Sequence, residues 1–123
     1  MKTFTLEQAN ALVPQLDELL EETIDVRNKL VTMGASLQSV VEHAGGNGGG
    51  KSGGEYVLLL QRFNALIGFI QEIGCELKDL DQGLIDFPSY RGDKLVYLCW
   101  KRGEPRVGFW HDIEAGFAGR QPL

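Results

Sequence analysis

A change of period divides this chain and restricts what it can fold into. As far as about residue 74, apolar side chains recur every three or four positions; beyond it they alternate. A period near 3.6 suits one face of a helix and a period of two suits one face of a strand, so the reading is α+β. Leu6, Ala9, Val13, Leu16, Leu20, Ile24, Leu30, Leu37 and Val41 share a helix face, with one irregular step between Ile24 and Leu30. Glu18, Glu21, Glu22, Asp25 and Lys29 lie opposite. Thr5 and Gln8 are spaced as a capping box at the helix start. Pro14 lacks an N–H, so it should kink the helix or split off a short leading piece near Val13, leaving a main helix over about residues 14–43.

A second stripe of Tyr56, Leu59, Leu60, Phe63, Leu66, Ile67, Ile70 and Ile73 marks a helix from Glu55 to about Gly74. Residues 44–54 lie between the two helices, and seven of these eleven are glycine. They read as a flexible connector that lets the helices fold back antiparallel. Two helices hardly cover so broad an apolar stripe, so a homodimer through the helices is expected. Gly45, Gly50, Lys51 and Ser52 formally match the phosphate-binding G-x-x-x-x-G-K-[ST] loop. That loop needs a buried strand before it and a helix opening at the Lys. A polar helix precedes it here, and Gly53-Gly54 should delay the next helix, so no nucleotide is expected.

Leu84 to Phe87, Lys94 to Trp100 and Val107 to Asp112 read as strands, with residues 75–80 a candidate fourth. The expected fold is a long antiparallel helical hairpin (5–74) followed by a C-terminal three- to four-stranded antiparallel β-meander (75–112) and a tail (113–123). Residues 1–123 are expected to form a single domain. A two-residue Arg91-Gly92 turn would pair Phe87 with Val96 and Asp86 with Tyr97. A Gly103-Glu104 turn would pair Trp100 with Val107 and Val96 with His111. Ile85, Phe87, Val96, Leu98, Trp100, Val107, Phe109 and His111 would then form the core face. Leu84, Asp86, Tyr97, Cys99, Trp110 and Asp112 would share the other. A one-residue slip at either turn would reverse part of this.

Composition narrows the function classes. Net charge is −5, from 17 acidic and 12 basic side chains, with no basic block. Nucleic acids and anionic membrane surfaces draw affinity from Lys and Arg, so neither is an expected partner. The cluster of Lys101, Arg102 and Arg106 reads as a solvated turn. No apolar region follows Lys2 and no stretch approaches the ~20 apolar residues of a membrane span, so a cytoplasmic location is expected. Cys75 and Cys99 form no C-x-x-C pair, and Cys99 reads as a small apolar filler.

His111 is the most chemically capable side chain. Glu114 lies three residues on, within reach if the chain turns helical, and Asp79, Asp81 and Asp86 lie in the preceding segment. Imidazole and carboxylates suit zinc or iron. The alternative is a buried histidine bonded to a backbone carbonyl. His43, at a helix C-terminus, reads as a cap.

The runs G-C-E-L-K-D-L-D-Q-G-L-I-D-F-P (Gly74 to Pro88), V-Y-L-C-W-K-R-G-E-P (Val96 to Pro105) and F-W-H-D-I-E-A-G-F-A-G-R-Q-P-L (Phe109 to Leu123) are distinctive. With F-T-L-E-Q-A-N-A-L-V-P (Phe4 to Pro14), they resemble a bacterial family catalogued as domain of unknown function 2203, over nearly the whole chain. The resemblance implies no particular activity. Its polar motif positions here are Lys78, Asp79, Asp86, Glu104, His111 and Arg120, gathered in the β-region, which favours a site there. The functional expectation is metal binding, zinc or iron, with His111, Glu114, Asp86, Asp79 and Glu76 as candidate ligands. The alternative is a non-enzymatic dimeric scaffold acting through the hairpin. The weakness of the metal reading is that the expected register separates His111 from Asp86 by face.

Overall fold

Thr5 and Gln8 form the anticipated capping box. The Gln8 N–H donates to Thr5 Oγ1 at 3.1 Å and the Thr5 N–H to Gln8 Oε1 at 3.0 Å, satisfying two donors at the helix end. In the computed structural model, which describes residues 1–44 and 50–123 with side chains 35–52 left aside, α1 runs unbroken over Leu6–Ala44. Pro14 therefore lies inside one continuous helix and does not split it. The second helix, α2, spans Gly50–Ile73 and starts ahead of the expected Glu55, so Gly53 and Gly54 do not delay it. The central glycines of the connector and the His43 side chain lie outside the described residues.

The chain forms two compact units, residues 21–68 and residues 1–20 with 69–123. In the helical unit, Thr23, Val26 and Leu30 are buried while Ile24 is half-buried, so the helix face passes through Thr23 and Val26 at the irregular step. Arg62 bonds Glu22, and Tyr56 lies 3.8 Å from where a Cβ on Gly34 would be. These contacts pair the arms antiparallel, as a helical hairpin requires.

The other unit carries five antiparallel strands in sequential order: β1 (Glu76–Asp79), β2 (Leu84–Arg91), β3 (Lys94–Lys101), β4 (Phe109–Asp112) and β5 (Gln121–Pro122). The tail thus adds a fifth strand, preceded by a 3₁₀ turn at Phe117–Gly119. One sheet face and the start of α1 enclose a core of Phe4, Leu16, Leu20, Ile70, Ile85, Phe87, Leu98, Trp100 and Val107. The Phe4 N–H donates to the Pro88 carbonyl at 2.8 Å and the Ser89 hydroxyl donates to the Phe4 carbonyl, which fixes the chain start against β2.

Two turns differ from expectation, with different consequences. The β2–β3 turn is Gly92-Asp93, so Phe87 faces Leu98 and Asp86 faces Cys99. Gly92 takes φ +66° at the first central position, where a type II′ turn wants glycine. The expected Arg91-Gly92 turn would have asked Arg91 to adopt a positive φ. Both sides of this pairing shift together, and the faces of β2 and β3 stay as expected.

The β3–β4 connection is a seven-residue loop, residues 102–108, and not a two-residue turn. Pro105 has no N–H to give a ladder. The loop is held instead by the Lys101 N–H on Glu104 Oε1 (2.7 Å), the Trp100 indole on the Glu104 carbonyl (3.0 Å) and the Val107 N–H on Asn10 Oδ1 (2.7 Å). Val96 then pairs with Asp112 and Tyr97 with His111, one residue from the expected register. That odd shift turns β4 over. Trp110 joins the Leu98 face and packs against the core, while His111 moves to the face of Asp86, Tyr97 and Cys99.

Asn10→Ala is expected to destabilise the protein by about 1–3 kcal/mol, the cost of leaving a buried N–H unpaired. Urea unfolding followed by far-UV circular dichroism measures this. A change below a few tenths of a kcal/mol would show that Asn10 does not hold the loop.

Candidate metal centre

The reversed face of β4 carries the site. Glu76 on β1 pairs with Asp86 on β2, and Asp86 pairs with Cys99 on β3. His111 on β4 pairs with Tyr97, two positions before Cys99. Their side chains therefore rise from one face of four adjacent strands. Asp86 is 4% exposed, Cys99 1% and His111 1%, although Asp and His usually keep contact with water.

His111 Nδ1 lies 2.8 Å from the Asp112 carbonyl oxygen, which only accepts, so this nitrogen carries a proton. Nε2 is thereby directed at Asp86, 3.0 Å from both carboxylate oxygens. An imidazole lone pair facing a carboxylate at that distance is repulsive unless a cation lies between them, and a proton or a metal ion meets the need. Asp86, Cys99 and His111 each offer one ligand atom, and these atoms lie within 4.8 Å of one another. Tetrahedral ligands at ~2.1 Å from a zinc ion are about 3.4 Å apart, so the group closes round such an ion with small movements.

Burial pushes the Cys99 thiol up to about 12, and the neighbouring Asp86 carboxylate adds to the effect. Burial likewise pushes Cys75 up to about 11. A thiol held protonated at neutral pH is a poor nucleophile, which argues against cysteine catalysis by Cys99 alone.

A cavity of about 250 Å³ opens onto the three residues. Lys78, Asp79, Ile113 and Phe117 contribute to its wall. The other carboxylates expected at the site lie outside the group. Glu76 accepts from the Tyr97 hydroxyl at 2.6 Å and pairs with Lys78 at 3.2 Å. The Tyr97 bond holds the Glu76 carboxyl below its ordinary range, and the same bond raises Tyr97. Asp79 Oδ1 accepts from the Gln82 N–H at 3.0 Å and so closes the β1–β2 turn. At the end of that turn Gly83 takes φ +65°, and a Cβ there would sit 2.5 Å from that of Arg102. Glu114 is exposed in the turn after β4.

The expected register already sets Cys99 and Asp86 on one mixed face, where Cys99 reads as a filler; its sulfur is instead one of the three converging ligand atoms. The signal for a ligand role was His111, which the two-residue turn kept on the wrong face. Glu104 and Arg120 pair with each other: Arg120 donates to both Glu104 oxygens at 2.7 Å and lies over Phe109, 3.9 Å from the ring centroid.

The chain belongs to the family described as uncharacterized conserved protein (DUF2203), whose model matches residues 2–123. No curated protein and no solved structure matches it. Among the described residues, no helix is long and apolar enough to cross a membrane.

Both thiols are expected to resist a water-soluble disulfide reagent such as DTNB at pH 8 in the folded protein and to react fully in guanidinium. Prompt reaction of a native thiol would contradict the burial and the raised thiol pKa values.

Proposed function

We propose that this protein binds a divalent metal ion, zinc or iron, through Asp86, Cys99 and His111. The observation that carries the reading is the convergence of three buried ligand atoms within 4.8 Å of one another. Two features support it. The Nδ1 bond to the Asp112 carbonyl is the kind of outer-shell contact that orients a metal-bound imidazole through its other nitrogen. Three protein ligands facing a cavity leave a coordination position for water or a small molecule, as in reactive zinc sites. Asp79 is a further carboxylate on the wall of the same cavity. A mixed nitrogen, sulfur and oxygen set ranks zinc ahead of iron.

Protein purified without a His-tag is expected to carry close to one equivalent of zinc or iron by elemental analysis, and His111→Ala to lose it. Because a buried substitution can unfold the chain, cobalt(II) substitution gives a second readout. A sulfur-to-cobalt charge-transfer band should appear in the native protein and vanish in Cys99→Ser while the far-UV spectrum is kept. Protein that is metal-free as isolated and gives no such band would sink the proposal.

A second reading, homodimerisation through the helices, rests on the exposed apolar side chains of the helical unit. Val31 is 64% exposed, Val57 51% and Leu58 66%, a set that burial against a second copy would cover. Light scattering should then report twice the chain mass for the native protein and a monomer for Leu58→Glu. A native monomer at micromolar concentration would end this reading.

A further inference from the structure

The sheet face opposite the Asp86–Cys99–His111 group borders a second cavity, of about 600 Å³. It lies within the range of small-molecule sites, roughly 300–1,000 Å³. Phe4, Val96, Leu98 and Trp110 give it an apolar floor and wall. Val96 and Leu98 belong to the buried face of the sheet, so the floor is set by the sheet core. The register that sends His111 to one face brings Trp110 to this one.

Charge narrows the occupant. In a chain of net charge −5, no acidic side chain lines this cavity, and among the described residues Arg91 is its one charged lining side chain. The Arg91 guanidinium lies 4.4 Å from the Trp110 ring centroid. Stacking holds the planar fork over the indole while its edge N–H groups remain able to donate in pairs, the geometry that matches a carboxylate. The hydroxyl-bearing Thr3 and Thr5 also line it. An apolar floor with one stacked cation at its margin fits a molecule with an apolar body and a single anionic end.

We propose that this cavity binds a small organic acid, its apolar body against Leu98 and Trp110 and its carboxylate on Arg91. The site stands independently of the metal centre, since it shares none of that group's residues and lies on the other face of the sheet.

Naphthalene-2-carboxylate and its neutral isostere 2-naphthamide test this by heteronuclear NMR titration of the full chain. Saturable shifts of the Leu98 methyl and Trp110 indole signals are expected with the acid, which should bind about fivefold tighter than the amide, as a partly exposed charged hydrogen bond allows. Arg91→Gln, a change on an exposed side chain, should abolish that preference. The proposal is overturned if neither compound shifts these signals at millimolar concentration, if acid and amide bind equally, or if the preference survives in Arg91→Gln. Because the measurement needs no metal, a metal-free protein would still decide it.

Discussion

The pairing of β3 with β4 is the constraint on which both sheet faces depend. Side chains alternate along a strand, so a displacement of one residue exchanges every inward position for an outward one. Here the seven residues between the strands settle the matter. With Val107 tied to Asn10 and Glu104 folded back on Lys101 and Trp100, β4 begins at Phe109. That starting point sends His111 toward Asp86 and Trp110 toward Leu98. A two-residue turn would have sent His111 into the apolar core and left Asp86 without its imidazole.

The buried polar group has energetic consequences beyond its own residues. Asp86 and His111 at 4% and 1% exposure are costly to desolvate, and removing one partner would leave the other buried without compensation. The surrounding contacts offset part of that cost: the His111 Nδ1–H donates to the Asp112 carbonyl, and a proton or a metal ion between Nε2 and the Asp86 oxygens would offset more. Such a group is poor value as plain stabilisation, because well-packed apolar residues do as well or better. Its three ligand atoms, within 4.8 Å of one another in the middle of a sheet, are the observation on which the proposed metal site rests.

Much of the architecture was readable from local signals. The capping box at Thr5, the two helices and the strands after residue 74 each reflect physics within a few residues, and each is present. The faces of β2 and β3 were also legible, since the turn adjusted both strands together. Three features were not. Pro14 is accommodated within α1 because the packing of Leu16 and Leu20 outweighs one lost backbone bond. Gln121–Pro122 is too short to announce a strand, and pairs only because Phe109 and Trp110 offer it an edge. The β3–β4 loop depends on Asn10, 97 residues from Val107 in sequence, and no local pattern contains it.

The sequence by itself therefore determined the class of the fold, the order of its elements and the residue types available for chemistry, because periodicity and turn composition are local properties. The tertiary structure alone decided that Asp86, Cys99 and His111 meet. Their convergence rests on strand register and on a long-range contact to α1. The same tertiary decision turned Trp110 toward Arg91 on the opposite face, so one register choice shaped both cavities of the sheet unit.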